Sequence, residues 1–144
     1  MLVNAKTWKS DAAFWSVNIQ NLASDGTVDL SSSNVTVEYF SPSAVSSPLR
    51  TVRDDSIKKF NFLDGKMRYN EIWGVRKQYS PPPRGTAIPG CTAKKLAAKL
   101  MSMGALKAGA TVHASIDPEF GDAWIVQTGS KPTQLDLQTC AERK

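Results

Sequence analysis

The chain has 144 residues, of which 41% are hydrophobic and 22% charged, and its formal net charge is +5. This length suits one domain over residues 1–144, and the composition argues against a largely disordered chain. The N-terminus lacks the apolar run of a secretion signal, and no stretch approaches the ~20 apolar residues of a membrane helix. We therefore expect an intracellular or virion setting, with no secretion signal or transmembrane segment.

Two strands are predicted in the first third of the chain, over residues 14–20 and 34–40. Both segments alternate apolar and polar side chains, which is typical of half-buried strands. The apolar residues expected to share a face are Trp15, Val17 and Ile19 in the first strand and Val35, Val37 and Tyr39 in the second. Ser24-Asp25-Gly26 indicates a turn, residues 27–30 suggest a short strand, and the Ser/Pro-rich residues 41–48 indicate a loop.

The strongest local signal is a β-hairpin centred on Asp64-Gly65, between residues 58–63 and 66–73. Asp-Gly between two β-prone runs favours a two-residue type I′ turn, since both central residues need positive φ. Such a turn determines the register of the hairpin. The predicted pairs are Phe62 with Met67, Phe60 with Tyr69 and Lys58 with Glu71 on one face, and Asn61 with Arg68 and Lys59 with Asn70 on the other. Trp73 is expected on the face of Phe60.

One amphipathic helix is predicted at about residues 92–106, after the three prolines of residues 81–83. Thr92 is the expected N-cap, and Gly104 or Gly109 the expected C′ residue. Its apolar stripe consists of Leu96, Leu100 and Met103. Strands over residues 111–116, 123–128 and 135–140 follow. The predicted fold is α+β: a mostly antiparallel β-sheet, or a small sandwich or barrel, with this one helix packed on it.

The middle of the chain is strongly basic. Residues 50–107 hold thirteen Lys/Arg and four Asp/Glu, whereas residues 1–49 and 108–144 each have a net charge of −2. This distribution indicates an acidic partner surface or a polyanion, although neutralisation within the fold or by a neighbouring copy explains it equally well. The residues expected to contact a partner are Arg68, Arg76, Lys77, Tyr79, Arg84, Lys94, Lys95 and Lys99.

Residues that could carry catalysis are sparse. His113 is the only histidine, and a lone strand histidine is more often structural than catalytic. Residues 85–92 have the glycine spacing of a P-loop, but Cys91 stands where the phosphate-binding lysine belongs. The sequence still allows a weaker role, in which the N-terminus of the helix, preceded by glycine, binds a phosphate or carboxylate without reacting with it.

No cofactor or metal is predicted. Cys91 and Cys140 are far apart in sequence and form neither a CxxC motif, a zinc site nor a disulfide framework, so a reducing environment is the default. Whether these two cysteines approach each other stays open. Asp117, Glu119 and Asp122 are interpreted as turn formers, because the alternating acids of a calcium loop are missing.

These features favour a non-enzymatic structural or interaction subunit that docks through its basic region on an acidic protein or on copies of itself. A capsid, decoration or tail protein of a phage or virus is the concrete form that we expect. The alternative is a nucleic-acid-binding domain that uses the same basic residues. An enzyme centred on His113 is the least favoured hypothesis, and no membrane partner is expected.

Overall fold

The computed structural model describes residues 2–63, 66–118, 121–129 and 131–143, and its main element is an eight-stranded antiparallel sheet. The strands are β1 (Ala13–Ala23), β2 (Val35–Phe40), β3 (Ile57–Leu63), β4 (Lys66–Trp73), β5 (Thr111–Ile116), β6 (Ala123–Gln127), β7 (Pro132–Asp136) and β8 (Glu142–Arg143). Their order in the sheet is β4-β3-β2-β1-β5-β6-β7-β8. The chain therefore forms two meanders, β1–β4 and β5–β8, which join where β1 pairs with β5.

The helices are α1 (Leu2–Trp8), α2 (Pro42–Val45), α3 (Arg50–Arg53) and α4 (Ala93–Ser102). The predicted α+β class with a mostly antiparallel sheet is confirmed. The expectation of a single helix is not, because three shorter helices accompany α4. Within the described residues, no helix is long and apolar enough to cross a membrane.

Helix α4 begins where the sequence predicts and ends earlier than predicted. The Thr92 hydroxyl accepts a hydrogen bond from the backbone N–H of Lys95 at 3.4 Å, as an N-cap does. At the other end Gly104 has φ +69°, and the N–H of Ala105 donates to the Leu100 carbonyl at 2.9 Å. This Schellman arrangement closes the helix at Ser102, so residues 103–106 lie outside it.

The two faces of the sheet differ in what covers them. We call the face that carries Val17, Val37 and Ala114 the helix face, because α1 and α4 pack on it. Leu96, Ala97 and Leu100 of α4 are fully buried there against β1, β5, β6 and β7. Ala5 of α1 is buried against the β2–β3 part. We call the opposite face the open face.

Two β-bulges in β1 determine which of its side chains reach the core. Phe14 pairs with Tyr39 and Ser16 with Glu38, which leaves Trp15 without a partner on β2. The prediction that Trp15 shares a face with Val17 and Ile19 is therefore wrong, since the extra residue reverses the alternation. Trp15 instead packs edge-on against Phe40, on the open face.

The second bulge lies between Ile19 and Leu22, opposite β5. Asn21 adopts positive φ (+56°) within it, a conformation that asparagine tolerates better than most residues. As a result Ile19 and Leu22, three positions apart, are both buried in the main core. Simple alternation would place them on opposite faces.

The β3–β4 hairpin follows the predicted register only near its turn. Phe62 pairs with Met67, Asn61 with Arg68 and Phe60 with Tyr69, as predicted, while Asp64 and Gly65 lie outside the described residues. A register shift follows Phe60, so the partner of Lys58 is Ile72 and the partner of Lys59 is Glu71. The predicted pairs Lys58–Glu71 and Lys59–Asn70 are wrong, because one extra residue of β4 is accommodated there.

This same shift moves Trp73 to the open face. Trp73 pairs with Ile57, which is buried with Phe40 and Val45 on that face. The expectation that Trp73 lies on the face of Phe60 is therefore wrong. Phe60 itself is fully buried on the helix face.

Two further segments differ from their predicted structure near the N-terminal meander. Residues 27–30 form one isolated bridge, Leu22 with Val28, rather than a strand. Residues 41–48, predicted to be a loop, contain α2, in which Ala44 and Val45 are buried. Ser41 caps this helix and Pro42 occupies its first turn, an N-terminal pattern that was visible in the sequence.

At the C-terminus the predicted strand over residues 135–140 is wrong. Strand β7 ends at Asp136, and residues 137–139 form a turn before Cys140. Cys91 and Cys140 are joined by a disulfide, with their Cα atoms 5.2 Å apart. The sequence left open whether the two cysteines approach each other. They do so because the fold brings the start of α4 beside this turn, where the Cys91 N–H donates to the Leu137 carbonyl at 2.9 Å.

Candidate interaction surface

The basic residues predicted to contact a partner occupy three places in the fold. Arg68 lies in β4, where its backbone pairs with Asn61; its side chain is outside the described part of the chain. Arg76, Lys77, Tyr79 and Arg84 follow β4 in a segment without helix or strand, and the three lysines lie on α4.

The segment after β4 is held against α2 and α3 by backbone contacts. The Tyr79 N–H donates to the Val45 carbonyl at 3.0 Å, and the Gln78 side-chain amide donates to the Ser46 carbonyl at 2.6 Å. Gly74 lies so close to Arg53 that a Cβ would clash with its backbone. The side chains of Arg76, Lys77, Tyr79 and Arg84 are all exposed. The segment thus presents a basic surface from an anchored backbone.

The α4 lysines lie on the other side of the sheet. Lys94 and Lys95 are exposed and Lys99 is half-buried, while α4 packs on the helix face. Tyr79 lines a cavity on the open face. The fold therefore separates the α4 lysines from Tyr79 and does not gather the predicted residues into one patch.

The outer edge of β4 is a second exposed feature. No strand of the described residues pairs with this side of β4, although the strand spans eight residues. Ile72, on this strand, is 56% exposed. Arg53, the last residue of α3, lies beside Gly74, which follows β4. Leu49, which precedes α3, and Val52 within it are 62% and 36% exposed. Sequence reasoning missed these apolar residues, because no local pattern shows which strand ends at the edge of a sheet.

Cavities lie on both faces of the sheet. One of about 670 Å³ lies on the open face and is lined mainly by polar side chains of β1 and β2, with three aromatic residues, Trp15, Trp73 and Tyr79. The other, of about 360 Å³, lies on the helix face and is lined by Phe14, Val17, Val37, Tyr39, Ile88, Pro89 and Trp124. The polar run Ser16, Asn18, Gln20 was a visible sequence signal for the first cavity.

The P-loop-like segment uses its backbone donors within the protein. The Thr86 N–H donates to the Phe14 carbonyl at 2.9 Å, and the Gly90 N–H donates to the Gln138 side chain at 3.1 Å. The Lys95 ammonium donates to the Gly90 carbonyl at 3.2 Å. Phosphate binding would need such donors free, so this arrangement weakens the anion-holding role considered for the start of α4.

The remaining candidate groups do not converge in the described part of the chain. His113 is exposed on β5 and pairs with Gln127. Asp117 and Asp122 flank the β5–β6 connection, while Glu119 lies outside the described residues. Among the residues described, no group of three or more His, Cys, Asp or Glu side chains could hold a metal ion.

Comparisons with protein-family models, curated proteins and solved structures found no match. The features of the molecule that can indicate its function are therefore the β4 edge, the basic segment and the open-face cavity.

Proposed function

We propose that the protein is a non-enzymatic structural or interaction subunit that joins a larger assembly through the outer edge of β4. The observation that carries this proposal is the eight-residue edge strand whose outer side is unpaired within the described residues. Backbone N–H and C=O groups on such an edge can pair with a strand of another chain. Ile72, which lies on this strand, adds exposed apolar area to the edge.

Charge favours an acidic partner for this surface. Strand β4 and the segment after it, residues 66–84, contain five Lys/Arg and one Asp/Glu. Another copy can supply acidic residues through its C-terminal part, since residues 108–144 have a net charge of −2. Contact between unlike surfaces of successive copies propagates into rings or filaments. In its most specific form the proposal is a virion component, such as a capsid, decoration or tail protein.

The test is association measured by light scattering after size exclusion, together with retention on immobilised polyglutamate at about 50 mM salt, where surface charges are little screened. The wild-type protein should form oligomers or be retained. Ile72→Asp should weaken both, because it replaces an apolar side chain of the edge with a negative charge that repels acidic groups. Met101→Asp, a comparable exposed change on α4, is the matched control. A wild-type protein that stays monomeric and is not retained would contradict the proposal.

A second candidate is a nucleic-acid-binding domain, favoured by the exposed Tyr79 among Arg76, Lys77 and Arg84. Aromatic rings stack on bases while Lys and Arg neutralise phosphates. Fluorescence anisotropy of labelled single- and double-stranded oligonucleotides, at about 50 and 200 mM salt, tests it. Binding that collapses with salt and weakens in Arg76→Ala/Lys77→Ala/Arg84→Ala would move this candidate to first place. Absence of binding at low salt would eliminate it.

A further inference from the structure

The cavity on the open face has the size and lining of a ligand site. Its volume of about 670 Å³ falls within the usual range for small-molecule sites. Three strands supply polar side chains to its floor: Asn18 and Gln20 from β1, Thr36 and Glu38 from β2, and Lys59 from β3. Ser115 and Asp117 line it from the side of β5.

Several of these polar groups keep hydrogen-bonding capacity for a ligand. The Ser16 hydroxyl donates to Glu38 at 2.8 Å, which orients that carboxylate. Asn18 and Gln20 line the cavity, and their side-chain amides can both donate to and accept from ligand hydroxyls. Asn34 also lines it, but its Oδ1 atom is buried and therefore lies out of reach of a ligand.

The aromatic residues supply apolar contact area beside these polar groups. Trp73 is 42% exposed and Tyr79 is 41% exposed, and both line the cavity. Aromatic rings of this kind provide a large apolar face while their polar atoms stay hydrated. A sugar ring matches this combination, because its C–H face is apolar and its edge carries hydroxyl groups.

The charged residues that line the cavity favour a neutral ligand over a polyanion. Among the described residues that line the cavity, Glu38 and Asp117 are acidic and Lys59 is basic. These residues offer phosphate groups no excess of positive charge, even though the chain as a whole is basic. We propose that this cavity binds a neutral saccharide, with Trp73 and Tyr79 against the C–H face of a sugar ring and Asn18 and Gln20 bonded to its hydroxyls.

The test is a glycan array of neutral oligosaccharides probed with the full chain, followed by calorimetric titration of the best-bound one. Trp73→Ala should weaken binding about tenfold, the effect of losing one good aromatic contact. Gln20→Ala, an exposed change, should weaken it as well and serves if Trp73→Ala fails to fold. Met101→Ala is the control, because Met101 is exposed on α4, which packs on the opposite face of the sheet.

Two results would overturn the proposal. The first is that no neutral glycan on the array binds at a millimolar concentration. The second is binding that Gln20→Ala leaves unchanged, or that a single-stranded oligonucleotide displaces, because the site would then be elsewhere or would prefer an anion. Neither result concerns the outer edge of β4, so the saccharide proposal can be refuted without refuting the assembly proposal.

Discussion

Asp136 organises the tight turn that leads from β7 to Cys140. One carboxylate oxygen accepts hydrogen bonds from the backbone N–H groups of Gln138 and Thr139 at 3.0 and 2.9 Å, and from the Thr139 hydroxyl at 2.8 Å. The other oxygen lies 2.8 Å from the Arg143 guanidinium. The Arg143 contact, followed by those of Thr139 and Gln138, holds the pKa of Asp136 well below its usual range.

This lowered pKa predicts how the stability depends on pH. The unfolded chain has the ordinary aspartate pKa of about 3.9, so the contribution of Asp136 is complete above that pH and is lost as the pH falls toward the folded pKa. Asp136→Asn should therefore lower the unfolding temperature at pH 7, and this deficit should shrink by about pH 3. Circular dichroism melts at several pH values measure the difference.

Asp122→Asn is the control for this experiment. Asp122 is exposed, and its side chain makes no hydrogen bond within the described residues. The unfolding temperature of the Asp122→Asn variant should stay close to that of the wild type at every pH. A deficit in Asp136→Asn that stays constant down to pH 3 would show that the charge is not what stabilises the turn.

At the scale of elements, the end of α4 depends on one glycine. Gly104 has φ +69°, and no other atom lies within 4 Å of where its Cβ would be. Gly104→Ala should therefore lower the free energy of unfolding through backbone strain alone, by about 1–2 kcal/mol. Gly104→Asn should lower the free energy of unfolding by less, because asparagine tolerates positive φ. Urea denaturation measures the change in each variant. Equal losses of stability in the two variants would contradict the backbone explanation.

Strand β4 contributes to both proposed sites, through side chains on its two faces. Ile72 and Trp73 are neighbours, so their side chains point to opposite faces of the sheet. Ile72 belongs to the proposed docking edge, and Trp73 belongs to the proposed saccharide cavity. The bulge near Phe60 decides which residue has which role, because one extra residue exchanges the two faces.

At the scale of the whole molecule, the disulfide connects the start of α4 to the C-terminal turn. Cys91 and Cys140 are 49 positions apart, so the bond closes a long loop in the unfolded chain. In the chain-entropy view, such a loop stabilises the fold by about 4 kcal/mol. Reduction should therefore lower the urea midpoint of the wild type, whereas the Cys91→Ala/Cys140→Ala variant should not respond to reductant.

Thiol titration of the untreated native and denatured protein provides the check. We expect no reactive thiol in either state before reduction, because a disulfide joins the two cysteines. After reduction we expect two reactive thiols. Two thiols that react in the untreated, denatured protein would contradict the disulfide. That outcome would agree with the reducing environment expected from the sequence.

Local patterns in the sequence determined much of the secondary structure. The alternation of Val35, Val37 and Tyr39 predicted the buried face of β2, and residues 111–116 are β5 as predicted. Thr92 and Gly104 marked the two ends of α4, although the predicted length continued beyond the second mark. Such signals are readable because caps, turns and alternation depend on residues that are close in sequence.

Only the tertiary structure decided what depends on distant contacts. The pairing of β1 with β5, the approach of Cys91 to Cys140 and the position of β4 at an edge join residues far apart in the chain. The bulges at Trp15 and near Phe60 belong to the same class, because each is an adjustment between paired strands rather than a property of one. The basic residues fall within one stretch of the sequence, yet the sheet separates them. The proposed saccharide cavity exists only where three strands bring their polar side chains together.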